Sequence, residues 1–582
     1  MVQTRPLRRR ASNNSSVSQA QNVLVILLSI CCLLTVAVNF LHGSMMHDSL
    51  SLQAANTFQD QHLLTTNHLS TGVNQQNGVV SGLSSPGHKL AGLKCDAYGG
   101  PSEEIAQEMV YWQDIPGDAG YMSPFHPRGK ENRYMTFEPD GGGWNNIRMA
   151  METVLAMAHA MGRTLVLPPE QQMYLLTNKG KATQKKVFSF NDFFHMDSIA
   201  NEHPGLEIIT MKEFLDREAM AGKLKDKTTG KVSFPPGNRT RWDGDNKGQN
   251  HVLSPWLSKV AFEPVWNVGK CQAAFPASAD PKDIQELRSI ESSIKQWPKF
   301  ERFVGKPTPV DGPAIDRMQE NGAGRSKLCI YDEEMQREKL IHFSGRAKSD
   351  GGRLLVHFYA FLFFQDWRQD LWMKRFIRDH VRYIDELQCA AARIVNALRE
   401  RARKRNPENI DGAFDSFHIR RGDFQYKNTR VSGDEIYEVS KDELTEGATV
   451  YIATDERDRS IFKPLSDKYD VVYLDDFLDL AKDLNTNYYG MLDQLVASKG
   501  RIFFGCWFST FTGYINRIRG YHADALKLPG YEEGIHESYY YALAEHKTKM
   551  KEFYPVKQAF HAREFPASWR MIDKGIGELH NG

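Results

Sequence analysis

The segment FHIRRGDF, Phe417 to Phe424, gathers His418, Arg420, Arg421 and Asp423 at the end of a short apolar run. Phe414, Phe417 and Ile419 among small residues read as a strand, so the polar group falls at its carboxyl end. In open α/β sheets that is where ligands sit. Arginine's planar fork binds phosphate oxygens in pairs and stays charged at any physiological pH. An imidazole beside two guanidiniums therefore suits a diphosphate leaving group. The bland alternative is a surface arginine pair bridged to Asp423.

The chain around this segment is long and electrically balanced. It has 582 residues, 73 basic and 72 acidic, for a net charge of +1. That length supports two or three domains. A neutral balance gives no global field for nucleic acid, so any anion site has to be local. Aromatic residues make up 11% of the chain, enough for a substantial core.

The N-terminus sets the expected compartment. Arg5, Arg8, Arg9 and Arg10 precede residues 23–41, a run of 19 without a charge. Such a run spans a hydrocarbon core of about 30 Å at 1.5 Å per residue. Basic residues on its N-terminal side predict a cytosolic tail (1–22), an uncleaved signal-anchor (23–41) and a lumenal remainder. Residues 42–94 are rich in Ser, Asn, Gln, His and Gly, and read as a disordered stem. The expected location is the Golgi or endoplasmic reticulum membrane. Five cysteines follow the anchor (Cys95, Cys271, Cys329, Cys389 and Cys506), so at least one stays unpaired if the others bridge. Asn238-Arg239-Thr240 is an N-glycosylation sequon.

Past the stem, strand and helix alternate twice. Tyr134 to Phe137 reads as a strand running into Gly141-Gly142-Gly143-Trp144-Asn145-Asn146, then a helix from Arg148 to Met161, then a strand from Thr164 to Leu167. A glycine loop at a helix N-terminus can meet an anion with backbone N–H groups and the helix dipole. The loop lacks the spacing of a dinucleotide fingerprint and the lysine of a P-loop, which also argues against a sulfotransferase. Residues 212–250 are charged and poorly periodic, and read as an inserted loop region. Trp367 to Arg405 reads as one long helix or two shorter ones. Strands then recur at Phe414–Ile419, Val450–Ala453, Val471–Leu474 and Arg501–Phe504, with helices at Tyr488–Ser498 and from about Thr512 to Arg519. Alternation of this kind predicts parallel sheets covered by helices, in two Rossmann-like domains facing a cleft. The expected boundaries are 95–365 for the first domain, 366–410 for connecting helices, and 411–582 for the second.

Three segments in this order resemble the GDP-fucose protein O-fucosyltransferase superfamily, which includes plant-type members. They are GGGWNNIRM with RTLVLPP, HIRRGDF, and LDQLVASKGRIFFGCWFSTFTGYINRIRG. The resemblance covers roughly residues 131–521 and implies a GT-B fold, metal independence, inversion at the anomeric carbon and GDP-fucose as donor. It implies that Arg420 contacts the donor diphosphate, with His418 as its partner. Asp493 stands where the family has an acidic residue near guanine and ribose. Ser509, Thr510 and Phe511 match the segment lining the nucleotide pocket. Asn145 matches the loop asparagine of plant-like members, and Asn146 that of the animal Notch-type enzymes. Arg420, Asn145 and Asn146 are the candidate catalytic residues. Gly142, Gly143, Trp144, His418, Arg421, Asp423, Asp493, Ser509, Thr510 and Phe511 are the candidate substrate contacts.

One departure bears on mechanism. Some members carry a glutamate before the Gly-aromatic-Asn of the loop, where this chain has Gly142. Glu152, Asp423 and Glu456 are then the candidate bases, unless the leaving group departs first. Asp243 and Asp245 form a DxD in the charged insert with no strand before it, and read as a surface loop rather than a metal site. Asp475-Asp476 reads as a helix cap, and His357 as a core histidine. The resemblance implies a hydroxyl of a protein or a glycan as acceptor. The alternatives are another nucleotide sugar used for polysaccharide synthesis, or a non-catalytic sugar-binding scaffold.

Overall fold

The computed structural model describes residues 92–127, 131–173, 176, 187–236, 250–294, 308–321, 325–345, 357–422, 424–534, 536–542, 564 and 566–580. The anchor, most of the stem, Asn238, Asp243, Asp245 and Asp423 lie outside them. Among the described residues no helix is long and apolar enough to cross a membrane.

The strands run β1 (Tyr134–Phe137), β2 (Thr164–Leu167), β3 (Ile208–Thr210), β4 (Cys271–Phe275), β5 (Lys327–Ile330), β6 (Leu340–Phe343), β7 (Leu362–Phe364), β8 (Asp415–Ile419), β9 (Thr449–Thr454), β10 (Asp470–Val472), β11 (Phe503–Gly505) and β12 (Ser538–Tyr540). They form three sheets, ordered β3-β2-β1-β6, β5-β4-β7 and β10-β9-β8-β11-β12. Every pairing is parallel. The fold is thus a parallel-sheet α/β fold. The part before β8 carries two sheets, where a single Rossmann-like sheet was expected. The additional one, around β4, lies in a stretch that no recognised motif marks.

Five helices position the site: α1 (Trp144–Ala160), α2 (Trp367–His380), α3 (Asp385–Arg405), α4 (Tyr489–Ser498) and α5 (Thr510–Ala525). The Trp367–Arg405 stretch is therefore two helices, α2 and α3. α1 begins four residues before the helix expected from periodicity, because Gly143 is extended (φ −64°, ψ 164°) and caps it. Helix α1 is buried along nearly its whole length. It packs into an apolar cluster that also holds Trp372 of α2, Leu387 of α3, Leu495 of α4 and Ile515 of α5. One core therefore runs through both parts of the chain.

The reading of 212–250 as loop fails at its start. Residues 211–219 are helical, the second half as a π turn. Phe214, Leu215 and Ala219 pack against Val166, Trp256 and Leu257. The charges that suggested a loop are helix pairs one turn apart, Lys212 with Asp216 at 2.7 Å and Glu213 with Arg217 at 2.6 Å.

Two disulfides are present among the described residues. Cys95 joins Cys389 on α3, and Cys271 on β4 joins Cys329 on the neighbouring β5. Cys506 is buried with a free thiol.

Candidate active site

From β8 the chain builds the five-stranded sheet in one direction through β9 and β10, then returns to add β11 and β12 on the other side. The direction reverses between β8 and β11, and the carboxyl ends of these strands open a crevice there. A cavity of about 620 Å³ occupies it. Its opposite wall is the glycine loop, Gly142 to Asn146. Two helix N-termini, those of α1 and α5, meet at this cavity. Neither Gly143 nor Ser509 caps its helix with a side-chain hydrogen bond. The Thr510 hydroxyl donates to Asn146 Oδ1 at 3.2 Å and ties the two ends together. Helix N-termini favour negative charge.

Alternation along β8 divides its side chains. Phe417 and Ile419 enter the apolar cluster on one face, and His418 emerges on the other. The His418 ring stacks on Phe511 at 4.3 Å and its Nδ1 shares a 2.7 Å hydrogen bond with the Thr512 hydroxyl. Burial, reinforced by the Arg420 charge, pushes its pKa down to about 3. The imidazole is therefore neutral at physiological pH. The Arg420 guanidinium lies on the cavity wall. It pairs with Asp455, and stands 5.7 Å from the Phe424 ring centre. A bound diphosphate would have to share this arginine with Asp455 or displace it.

Arg421 does not line the cavity, contrary to its expected role as a substrate contact. Its Nε donates to Glu456 at 3.1 Å and its Nη1 to the Val431 carbonyl. The backbone explains the division. Asp455 accepts from Arg421 N at 2.7 Å as well as from the Arg420 side chain. A Cβ on Gly422 would collide with Asp455 Oδ2. Glycine at that position lets Asp455 reach both arginines and turn the second one out.

The floor of the cavity comes from α4 and the turn before α5. Asp493 accepts a 2.6 Å hydrogen bond from the Tyr451 hydroxyl. Burial pushes its pKa up to about 7. Thr486, Asn487 and Tyr489 stand beside it, and Ser509, Thr510 and Phe511 complete this side. Phe508 has φ +65°, a left-handed backbone that costs a bulky residue roughly 1–3 kcal/mol. Its ring stacks on Tyr426 at 4.4 Å over the cavity.

In the glycine loop, Asp140 Oδ1 accepts from Gly142 N at 2.6 Å. A Cβ on Gly142 would come within 2.5 Å of Asn146 Nδ2. Asn145 Oδ1 accepts from Gln494 Nε2 at 2.8 Å. The Trp144 indole packs on Phe193 with ring centres 3.9 Å apart and donates to Tyr383 at 3.0 Å. Trp144 therefore serves the wall of the cavity more than a ligand.

Two of the candidate bases are elsewhere. Glu152 is buried between Arg148 (2.5 Å) and Arg517 (2.8 Å) and does not reach the cavity. Glu456 pairs with Arg421 and accepts from the backbone N–H of Arg457 and Asp458. Among the described residues, the carboxylates lining the cavity are Asp455 and Asp493. Asp476 caps its helix through the Tyr473 backbone N–H at 2.8 Å, as expected. His357 is a buried histidine 3.0 Å from Glu564. No group of three or more metal-ligating side chains occurs among the described residues.

Sequence reasoning missed Gln494, Phe508 and Tyr426; for Asp455, at the end of β9, it left helix capping and a cleft-facing role open, and the structure places it on the cavity wall. Gln494 lies one residue beyond Asp493, inside the C-terminal motif, and was legible as a polar residue on the same helix. Nothing local marks Phe508 or Tyr426.

The family model for GDP-fucose protein O-fucosyltransferase matches residues 134–522. No curated protein matches the chain in sequence. Among solved structures, that of POFUT1 in its apo form is 13% identical, over 72% of this chain and 100% of that one, with a TM-score of 0.29. The fucosyltransferase NodZ from Bradyrhizobium is also 13% identical, over 66% and 93%, at 0.28. A mutant of Arabidopsis thaliana FUT1 in complex with GDP is 9% identical, over 73% and 74%, at 0.30.

Proposed function

The chain belongs to the GDP-fucose protein O-fucosyltransferase family, and from that premise we propose that it moves fucose from GDP-fucose to a hydroxyl of a protein or glycan acceptor, with inversion, in a GT-B-like architecture. The observation that carries this reading is Arg420 on the wall of a cavity where two helix N-termini converge. Charge develops on the β-phosphate as the glycosidic bond breaks. A guanidinium and oriented N–H groups in a dry cleft stabilise that charge more in the transition state than in the ground state.

His418, neutral and fixed by Thr512 and Phe511, offers one ring nitrogen to a ribose or phosphate oxygen. Asp493, in its ionised form, accepts from the N–H groups of a guanine edge. Ser509 and Thr510 supply hydroxyls to the phosphates. Asp455 holds Arg420 in register until the donor arrives. The two carboxylates on the cavity wall are both engaged, one by Arg420 and one by Tyr451. That favours a route in which the leaving group departs ahead of attack and little is asked of a base.

The same reading takes residues 23–41 as a single-pass anchor, with the head in the Golgi or endoplasmic reticulum lumen and a glycan on Asn238. The two disulfides support an oxidising compartment.

The deciding experiment offers GDP- and UDP-sugars to the purified chain, with and without EDTA, and follows release of nucleotide. GDP-fucose is expected to be consumed fastest, and in the presence of the chelator. Preference for a UDP-sugar, or nucleotide binding without turnover, would replace this reading by polysaccharide synthesis or a sugar-binding scaffold. Loss of activity in EDTA that manganese restores would reject metal independence.

A further inference from the structure

A chain of buried hydrogen bonds runs from the glycine loop through α4 and back to the loop. Trp144 Nε1 donates to the Tyr383 hydroxyl at 3.0 Å, and that hydroxyl donates to Gln494 Oε1 at 2.7 Å. Gln494 Nε2 then donates to Asn145 Oδ1 at 2.8 Å and reaches the Phe511 carbonyl at 3.4 Å.

The direction of this chain follows from chemistry, independently of how an amide is drawn. An indole N–H only donates, so the Tyr383 oxygen accepts from it. The phenol has one proton left, and it points to Gln494. Burial pushes the Tyr383 pKa well above its usual value, so the proton stays. At the far end, a peptide carbonyl only accepts, so the Gln494 nitrogen faces Phe511. A glutamine turned the other way would set its oxygen against the Phe511 carbonyl and leave the Tyr383 proton without an acceptor. Both ends thus fix the same orientation of Gln494, and Gln494 fixes Asn145. With Oδ1 turned toward Gln494, Asn145 presents its NH₂ to the cavity that it lines.

We infer that Tyr383 and Gln494 are positioning residues that hold Asn145 as a hydrogen-bond donor to the reacting centre. Asn145 then works as a second donor toward the developing negative charge, across the cleft from Arg420, and not as a proton acceptor. This rests on the fucosyl-transfer reading for its consequence, though not for its geometry.

Gln494→Glu tests it. Above its pKa the carboxylate accepts from Tyr383 but has no proton for Asn145, whose amide should turn and show its oxygen to the cavity. At pH 8, kcat for release of GDP from GDP-fucose is expected to fall roughly 10²–10³-fold, with GDP affinity held within about twofold. Acidification should restore activity relative to wild type, because a protonated carboxyl regains an O–H to donate. On an Asn145→Ala background the same substitution should cost nothing further. If Gln494→Glu does not fold, Gln494→Met carries the test. It should lower kcat with GDP affinity kept, give no rescue by acid, and add nothing to Asn145→Ala. A Gln494→Glu enzyme with the wild-type kcat at pH 8, or losses that add to those of Asn145→Ala, would overturn the inference. If wild type turns over no nucleotide sugar, the functional reading fails while the relay is decided by crystal structures. Asn145 turning its amide between wild type and Gln494→Glu supports the relay, and an unchanged amide rejects it.

Discussion

Arg420 keeps its guanidinium on the cavity wall, while Arg421, the next residue, gives its Nε to Glu456 and an Nη to a backbone carbonyl. Lysine at 420 keeps the charge and loses the planar fork. Arg420→Lys is expected to lower donor turnover by roughly 10²–10³-fold. Arg421→Lys should be milder, because its work is to hold a turn. Turnover and GDP affinity of the two variants, with thermal melts as a folding check, decide the order. Asp493 makes a second prediction at this scale. Its folded pKa is raised to about 7 by burial, above roughly 4 in an unfolded chain. The protonated form is thus favoured by the fold, and its contribution to stability is full below about pH 4 and lost as pH rises toward 7. Ligand N–H donors favour the opposite, ionised form. GDP affinity should therefore rise about tenfold from pH 6 to pH 8, and Asp493→Asn should flatten that slope. The sequence placed all four residues of the HIRRGD segment near chemistry. The resemblance set Arg420 apart from Arg421, but the partners that hold them, Asp455 and Glu456, were not legible, because both are distant in sequence.

The helices and loops around the cavity were legible where their signals are local. The strand, glycine loop and helix from Tyr134 onward are read from pattern alone, and so are β8, β9 and α4. Residues 211–219 were not, because five charged residues outnumber the four apolar ones, Met211, Phe214, Leu215 and Ala219, that decide the packing. Phe508 was invisible, since nothing in its neighbours announces a left-handed backbone. The glycine loop carries its own prediction. A methyl group at 142 would press on Asn146 Nδ2, and through it on the Thr510 contact that joins α1 to α5. Gly142→Ala is expected to reduce turnover roughly 10- to 100-fold through misplacement of the loop asparagines. Its melting temperature should stay near wild type, because Gly142 is not a core position. Any side chain larger than hydrogen here would need a loop of different shape.

At the scale of the whole molecule, α1 and α5 are joined by buried charge. Glu152 of α1 holds Arg148 and Arg517, and Arg517 also faces Glu564, which in turn pairs with His357. Against the opposing effect of burial, Arg517 and His357 hold Glu564 down to about 2. Removing one member strands the others, at about 3–5 kcal/mol. Glu152→Ala should therefore lower the unfolding temperature strongly, and nucleotide affinity of the folded fraction should persist at low temperature. A catalytic base at that position would give the reverse, normal stability with lost turnover. Two parallel regions flanking long helices were readable from alternation. The third sheet and this charged seam were not, since both depend on residues far apart in the chain.

The last described segment completes that seam. Glu564 supplies its carboxylate, Trp569 packs over Gly520 of α5, the Ile572 carbonyl accepts from Arg375 at 3.1 Å, and Asp573 pairs with Arg378 of α2 at 2.8 Å. These residues leave the ribosome after every element they complete. Until then Arg375, Arg378 and Arg517 keep only Asp118, Asp379 with Asp524, and Glu152, and an apolar groove stands open where Trp569 belongs. The sheets are complete in sequence by Tyr540, whereas the seam has its full set of partners only once synthesis has passed Asp573. A chain stalled short of that point would be a client for chaperones, whatever the state of its cavity.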